Sequence, residues 1–461
     1  TITGRSTAGV SPVSIEADQL ITNYLSITAG TDATCRTFIF GKNPGDPATL
    51  TVNSVLANPI DCDFQDIIIL GAASPISGTR LGNCGGNSGI TFPAAKTVYW
   101  NLATGGDWTS TAWCTSIDGG VTLVGPDVNN FPLAQDTAVF QSTGLNSGAT
   151  VTISKFSQCI GTINMSARTT NTMILSFSTA SIGIYVFGNW INGTGVTITM
   201  TGTGNYMYFC GRTTNQTITS AGVTFPLGLF MQAPGNSVTL QDAYTSSHSV
   251  GFNAIYVEYG TFNSNNYPVT LTGAVGGGAT ISSGLNASLA IGSSLWTMAG
   301  TSGFSTSSNN ITGTGTLKFT SASAKALGAT NIDFSNITID NGGAGTLTIG
   351  ASTYKNITAS YTSTASTAIS LSGNIYVSQF TGTGTSSKTL TITGATAGTA
   401  ITYTGTTNIT SVNYLVPSNI LFYTPDLYWY IGANSRGSFS GAYLLAGTII
   451  SSTNSNFFLF F

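Results

Sequence analysis

Three short runs decide the fold: Thr346-Leu347-Thr348-Ile349-Gly350, Ala368-Ile369-Ser370-Leu371-Ser372-Gly373 and Thr389-Leu390-Thr391-Ile392-Thr393-Gly394. In each, aliphatic residues alternate with Thr or Ser and a glycine closes the run. Alternation of period two is that of a β-strand, whose successive side chains point to opposite faces. Leu347 to Ile369 is 22 positions and Ile369 to Leu390 is 21, while a second series, Ile337, Ile357 and Phe380, steps by 20 and 23. Two interleaved series of nearly one period place two strands at equivalent points of every turn of a coil. The pattern predicts an all-β chain, a right-handed parallel β-solenoid with about 20–23 residues per rung and rungs stacked about 4.8 Å apart. Leu347, Ile349, Ile369, Leu371, Leu390 and Ile392 then form aliphatic stacks inside, and Thr and Ser form ladders outside. Greek-key sandwiches also turn every 8 to 12 residues or so, but they have no reason to interleave two series at one period.

Working backward, short strands between Gly and Asn turns recur at Thr150–Ile153, Gly161–Met165, Ile184–Phe187, Val196–Met200, Tyr206–Phe209, Val238–Leu240, Ile255–Tyr259 and Val269–Thr272. About 300 residues coiled in this way give some fourteen rungs. The repeat is expected over residues 147–407. Before it, residues 96–146 hold Trp100, Trp108 and Trp113 among Gly and small polar residues, too irregular for one strand. These indoles are read as a hydrophobic cap on the exposed end of the coil stack, with an aromatic carbohydrate platform as the alternative. Residues 1–95 form a small β-rich N-terminal docking domain, read as a sandwich or barrel, with strands at Thr37–Phe40, Leu50–Leu56 and Ile67–Leu70. The Ile67-Ile68-Ile69-Leu70 run, apolar on both faces, is expected to be a central strand. Residues 408–461 are more aromatic, and the final Phe457-Phe458-Leu459-Phe460-Phe461 is read as a plug for the last rung or a subunit contact.

Composition agrees with a coil. Only 6% of the 461 residues are charged while 41% are hydrophobic, so a core is available and polarity comes from hydroxyls and amides. In a stack of rungs each charge would face a like charge above and below, so charges are disfavoured. A net charge of −3 with scattered Lys and Arg argues against nucleic acid. No apolar run is long enough to span a bilayer as a helix. Low charge favours association, so a homo-oligomer is expected. Cys35, Cys62, Cys84, Cys114, Cys159 and Cys210 show no zinc spacing, and read equally as disulfide partners or buried thiols.

No catalytic, cofactor-binding or metal-binding set emerges. Acid–base cleavage of a glycan needs two carboxylates on one face. The repeat offers Asp242, Glu258, Asp333, Asp340 and Asp426, isolated from one another. Glu258, between Tyr256 and Tyr259, is read as a solvated outward residue. His248, the single histidine, lies in a Ser-rich turn and is not assigned to catalysis. Asp61, Asp63 and Asp66 have the ligand type for calcium but no loop of the right pattern, and are read as surface acidity.

Tyr99-Trp100, Gly106-Asp107-Trp108, Ala112-Trp113 and Asn129-Asn130-Phe131-Pro132-Leu133-Ala134-Gln135-Asp136-Thr137-Ala138-Val139-Phe140 lead into Thr-Val-Thr-Ile rungs. Together with Val257-Glu258-Tyr259-Gly260-Thr261-Phe262-Asn263-Ser264-Asn265-Asn266-Tyr267, this order resembles repetitive β-rich virion structural proteins of tailed bacteriophages, especially marine ones, and in part bacterial adhesin-like solenoids. The resemblance covers roughly residues 80–320. It implies a non-enzymatic tail fibre, spike or head-surface appendage at the virion surface, with other virion proteins as partners and adhesion to host-surface polysaccharide as a further role. A bacterial surface adhesin or extracellular filament subunit is the alternative it implies, and a polysaccharide-degrading spike enzyme is a more distant one. The family carries over no catalytic residues.

Overall fold

In the computed structural model, residues 1–444 are described apart from 29, 156–157, 180–182, 203, 250–252, 283–285, 308–309, 361–366, 382–383, 386, 408, 425–428, 432–434, 436, 438 and 441–442. The chain is nearly all-β, with 52% of residues in strands, and its parallel stacked coils form a β-solenoid of about 16 turns. It divides into two compact units, Thr1–Gly315 and Thr316–Phe461.

The deciding runs lie in the second unit. Leu347 pairs in parallel with Ile369, as the 22-residue step predicts. Ile369 pairs with Ile392, 23 positions on, rather than with Leu390, whose partner is Thr367. In the second series Ile357 pairs with Phe380 as expected, but its other neighbour is Ile339 rather than Ile337. Both differences are shifts of two residues. A two-residue shift keeps every side chain on its own face, so the hydrophobic pattern identifies the inward set without fixing the register. Leu347, Ile349, Ile369, Leu371, Leu390 and Ile392 are all at most 1% exposed. Each contributes about 1.5–3 kcal/mol by leaving water.

Coil length is more variable than the expected 20–23 residues. Ile339 and Ile357 are partners 18 positions apart, whereas Trp190 and Ile218 are 28 apart. Corners absorb the difference while the strands stay in register. The number of strands per coil also varies. In the second unit two rows dominate, one through Leu347–Ile349, Thr367–Leu371 and Leu390–Gly394, the other through Asp333–Asn341, Thr353–Thr358 and Ile375–Phe380. In the first unit a coil carries three strands, as in Thr162–Asn164, Met173–Phe177 and Gly183–Val186. Two of the three sides later run together in the long strands Gly228–Leu240 and Ile255–Asn263, which bend where their register shifts. At that bend Gly260 has φ +86, and an added Cβ would stand 2.2 Å from the Ala233 carbonyl oxygen, so the corner requires glycine.

Residues 1–95 are neither sandwich nor barrel. Gly9–Ile15, Cys35–Gly41, Cys62–Gln65 and Gly82–Asn83 stack in parallel, as do Gln19–Ile21, Ala48–Val52 and Ile67–Leu70 on a second side and Ile2–Thr3, Leu25–Thr28 and Val55–Ala57 on a third. This segment is a short solenoid of its own, with Ile39, Leu50, Val52, Phe64, Ile67 and Ile69 in its core. Leu50–Leu56, expected as one strand, breaks at Asn53-Ser54 into strands on two sides. Ile67–Leu70, expected to be central, ends its three-stranded sheet, and Leu70 is 50% exposed. Ile67 and Ile69 are nonetheless fully buried, because they turn into the coil, and the outer edge of the strand is bridged by Ser88.

The short solenoid lies alongside the coils that follow it in the first unit. Alternation along Cys35–Gly41 explains how: Ile39 faces its own core, while Phe38 packs outward among Val10, Cys84, Ala134, Cys159, Phe187 and Cys210, with Phe40, Tyr185 and Tyr208 against them. The Phe38 ring lies 5.6 Å from that of Tyr185 and 6.3 Å from that of Phe187. Gly85 sits where a Cβ would come within 2.6 Å of the Arg212 Cβ, which holds the two stacks in close approach.

Candidate functional site

The ionisable side chains concentrate in and beside the short solenoid, and the coil period places them. Arg36 and Asp61 are 25 positions apart, about one coil, and meet across adjacent turns. Arg36 donates from Nε and Nη2 to the two carboxylate oxygens of Asp63, each at 2.8 Å, and from Nη2 to the Arg80 and Cys62 carbonyls. Asp61 lies 3.7 Å from Arg36 Nη1 and accepts from Arg80 Nε and Nη2 at 2.6 and 2.8 Å. Arg36, Asp61 and Asp63 are at most 1% exposed. Burial works against the Arg36 charge, but the attraction of Asp63 and Asp61 holds the guanidinium above its ordinary value. Burial likewise raises the Asp63 carboxyl, with Arg36 opposing it.

Asp66 joins the two stacks. It accepts from Arg212 Nε at 2.9 and 3.1 Å and from the Gly45 N–H at 3.0 Å, while Arg212 Nη1 donates to the Gln232 carbonyl at 2.6 Å. Gln65 Nε2 donates to the Cys210 carbonyl beside it. The three aspartates read as surface acidity are therefore buried, and their oxygens are held by arginines rather than arranged around a cation. Among the described residues, no group of three or more His, Cys, Asp or Glu stands where it could hold a metal ion.

All six cysteines are buried free thiols. Burial raises Cys62 and Cys210 to about 12, which keeps them protonated and unreactive near neutral pH.

The tryptophans are structural. Trp113-Cys114 pairs antiparallel with Tyr99-Trp100, covering one edge of a strand whose other edge pairs in parallel with Thr137–Val139. Trp113 stands edge-on to Trp100 at 5.2 Å and to Trp108 at 4.8 Å, and Phe140 packs on all three. Each indole is 1% exposed, so none offers a face to a sugar.

The remaining candidates stay apart and hold local structure. Asp242 accepts from the Ser220 and Ala221 N–H groups and the Ser220 hydroxyl. Glu258 accepts from Gln232 Nε2 at 2.7 Å. Asp333 accepts from the Ser335 N–H, and Asp340 from Ser360, with Lys318 3.6 Å away. His248 is fully buried against the Tyr206 ring, with Nδ1 3.3 Å from the Pro226 carbonyl oxygen. Asp426 and the terminal Phe457–Phe461 run lie outside the described residues.

Sequence reasoning passed over Lys325, which is 3% exposed in the second unit. Its Nζ donates to the Ser321 and Gly345 carbonyls at 2.8 and 2.7 Å, and Asn341 Nδ2 shares the second acceptor. Burial pushes the amine down to about 8 from 10.5. Between those values the unfolded chain binds more protons than the folded one, so stability of this unit should rise with pH through the window. Below it the cost of burying the charge is constant. Lys325→Met is expected to flatten the profile and to raise stability at neutral pH by about 1–3 kcal/mol, the lower end reflecting the carbonyls it leaves unpaired. Urea denaturation of the two proteins from neutral pH to about pH 10 checks this, and a flat wild-type profile would contradict it.

No protein-family model, curated protein or solved structure matches this chain.

Proposed function

We propose that the protein is a non-enzymatic structural component of a phage virion, a β-solenoid fibre, spike or head-surface appendage, with host-surface attachment as a second role. One observation carries the non-enzymatic reading: Asp242, Glu258, Asp333 and Asp340, four of the five isolated carboxylates of the repeat and the four that are described, each accept hydrogen bonds that fix neighbouring backbone or side chains. The virion assignment rests on the resemblance centred on Tyr99–Phe140. Immunogold labelling of purified particles, with antibody raised against residues 147–407, is expected to decorate tails or heads. Absence from particles, with label on cell surfaces or free filaments, would replace this reading with the adhesin one. Purified protein is expected to leave capsule and lipopolysaccharide chains at full length, and shortening of either would identify an enzyme.

A further inference from the structure

The six buried thiols are not equivalent. Cys62 Sγ donates to the Ile60 carbonyl at 3.3 Å, Cys114 Sγ to the Tyr99 carbonyl at 3.2 Å, and Cys210 Sγ faces Gln232 Oε1 at 3.9 Å. Cys84 and Cys159 instead share a hydrogen bond with each other. They stand 75 positions apart in the chain. Cys84 follows the strand Gly82–Asn83 of the short solenoid, and Cys159 lies in the strand Gln158–Ile160 of the coils alongside. Both belong to the apolar cluster between the two stacks, with Val10, Phe38, Ala134 and Phe187, and are 2% and 3% exposed.

The backbones come close enough here for more than contact. A disulfide needs Cα atoms about 4.4–6.8 Å apart, whereas packed sheets ordinarily stand about 10 Å apart. The residue after Cys84 is Gly85, where a Cβ would lie 2.6 Å from the Arg212 Cβ and 3.6 Å from its Cα, so glycine lets the two backbones close well inside the ordinary distance. The Cys84 N–H donates to the Phe64 carbonyl at 2.9 Å and Gln65 Nε2 to the Cys210 carbonyl at 3.2 Å, which pins the approach. Burial pushes both thiols up, Cys84 well above its ordinary value, so the closed cluster holds little thiolate near neutral pH.

We infer that Cys84 and Cys159 are a disulfide-forming pair, which staples the short solenoid to the adjacent coils when the chain folds in the presence of a small disulfide oxidant. The thiolate of one residue attacks the oxidant, releasing half of it as a thiolate and leaving a mixed disulfide. The thiolate of the other attacks the protein sulfur of that mixed disulfide and releases the second half. The protein loses two electrons and two protons, and the oxidant takes them up as two small thiols. The exchange belongs to folding, before the cluster closes, and the closed cluster keeps whichever state it was given. None of this depends on the virion assignment.

The full chain is made by cell-free translation, once with dithiothreitol and once with a mixture of glutathione and glutathione disulfide. Free thiols are then alkylated in urea and the peptides mapped by mass spectrometry without reduction. The oxidised preparation should yield Cys84 joined to Cys159, two hydrogens lighter than the separate peptides, with Cys35, Cys62 and Cys114 alkylated. It should also melt about 5 °C above the reduced one. Cys84→Ala, small and apolar in an apolar cluster, should remove both the cross-link and the difference in melting, while Cys35→Ala should keep both. Alkylation of both thiols in the oxidised preparation, either one joined to Cys210 in preference, or a difference in melting that survives Cys84→Ala would overturn the proposal. The wild-type map needs no variant, so it decides even where Cys84→Ala does not fold.

Discussion

Replacing Arg36 with alanine is expected to cost the short N-terminal solenoid about 3–5 kcal/mol, a large part of the stability of an ordinary domain. The magnitude follows from what is left behind. Asp63 is 0% and Asp61 1% exposed, and Arg36 supplies both of the side-chain hydrogen bonds to Asp63. Without the guanidinium, Asp63 must protonate or draw water into the stack, and the Arg80 and Cys62 carbonyls lose a donor. Hydrogen exchange over Cys35–Gly41 and Cys62–Gln65 reads the effect locally, where tryptophan fluorescence would not, because Trp100 is the first tryptophan. Arg36→Met combined with Asp63→Leu should recover most of the loss, since an apolar set of similar volume needs no partner. A cost below about 1 kcal/mol for Arg36→Ala would mean that the carboxylates are easily resolvated.

Trp113→Ala should be comparably severe, at about 3–5 kcal/mol, with a different outcome. The indole fills the space between Trp100, Trp108 and Phe140, and its Nε1 donates to the Trp108 carbonyl at 3.0 Å. Its strand also covers an edge of Thr97–Trp100. Loss of the cap leaves that edge unpaired, and an exposed flat strand edge templates association. Urea denaturation followed by fluorescence should show the loss of stability, and size-exclusion chromatography should show aggregates that the wild-type protein lacks. Trp113→Phe, which keeps an aromatic ring in place, should show a smaller loss and no aggregation. An alanine variant that is destabilised but remains monodisperse would show that neighbouring chain already protects the edge.

The coil was legible in the sequence wherever inward aliphatics and outward hydroxyls alternate. Leu347, Ile369 and their neighbours announce both the faces and the approximate period, since one-residue errors would turn the whole set outward. Register to the residue was not legible, because a shift of two, as at Ile337 and Ile339, leaves the pattern unchanged. The N-terminal coils were hidden for two reasons. Their steps are irregular: Gly9 pairs with Cys35, 26 positions on, but Leu50 pairs with Ile69, only 19 on. Their outer face is also buried, so Cys35–Gly41 is covered on both faces, with Arg36 and Thr37 buried as well and Phe38-Ile39-Phe40 showing no apolar–polar alternation. The buried ion pairs did leave a trace, a 25-residue step from Arg36 to Asp61.

Coils whose length differs, 18 residues from Ile339 to Ile357 and 28 from Trp190 to Ile218, while their strands stay paired, separate two kinds of editing in such a gene. Deleting one residue inside a strand inverts every face beyond it within that strand. Added residues at a corner merely lengthen a loop, and at Gly125, for one, nothing stands within 4 Å of where a side chain would begin. The fold therefore tolerates length polymorphism at its corners and resists it along its sides. New surface loops can be acquired there piecemeal, without renegotiating the core that carries them.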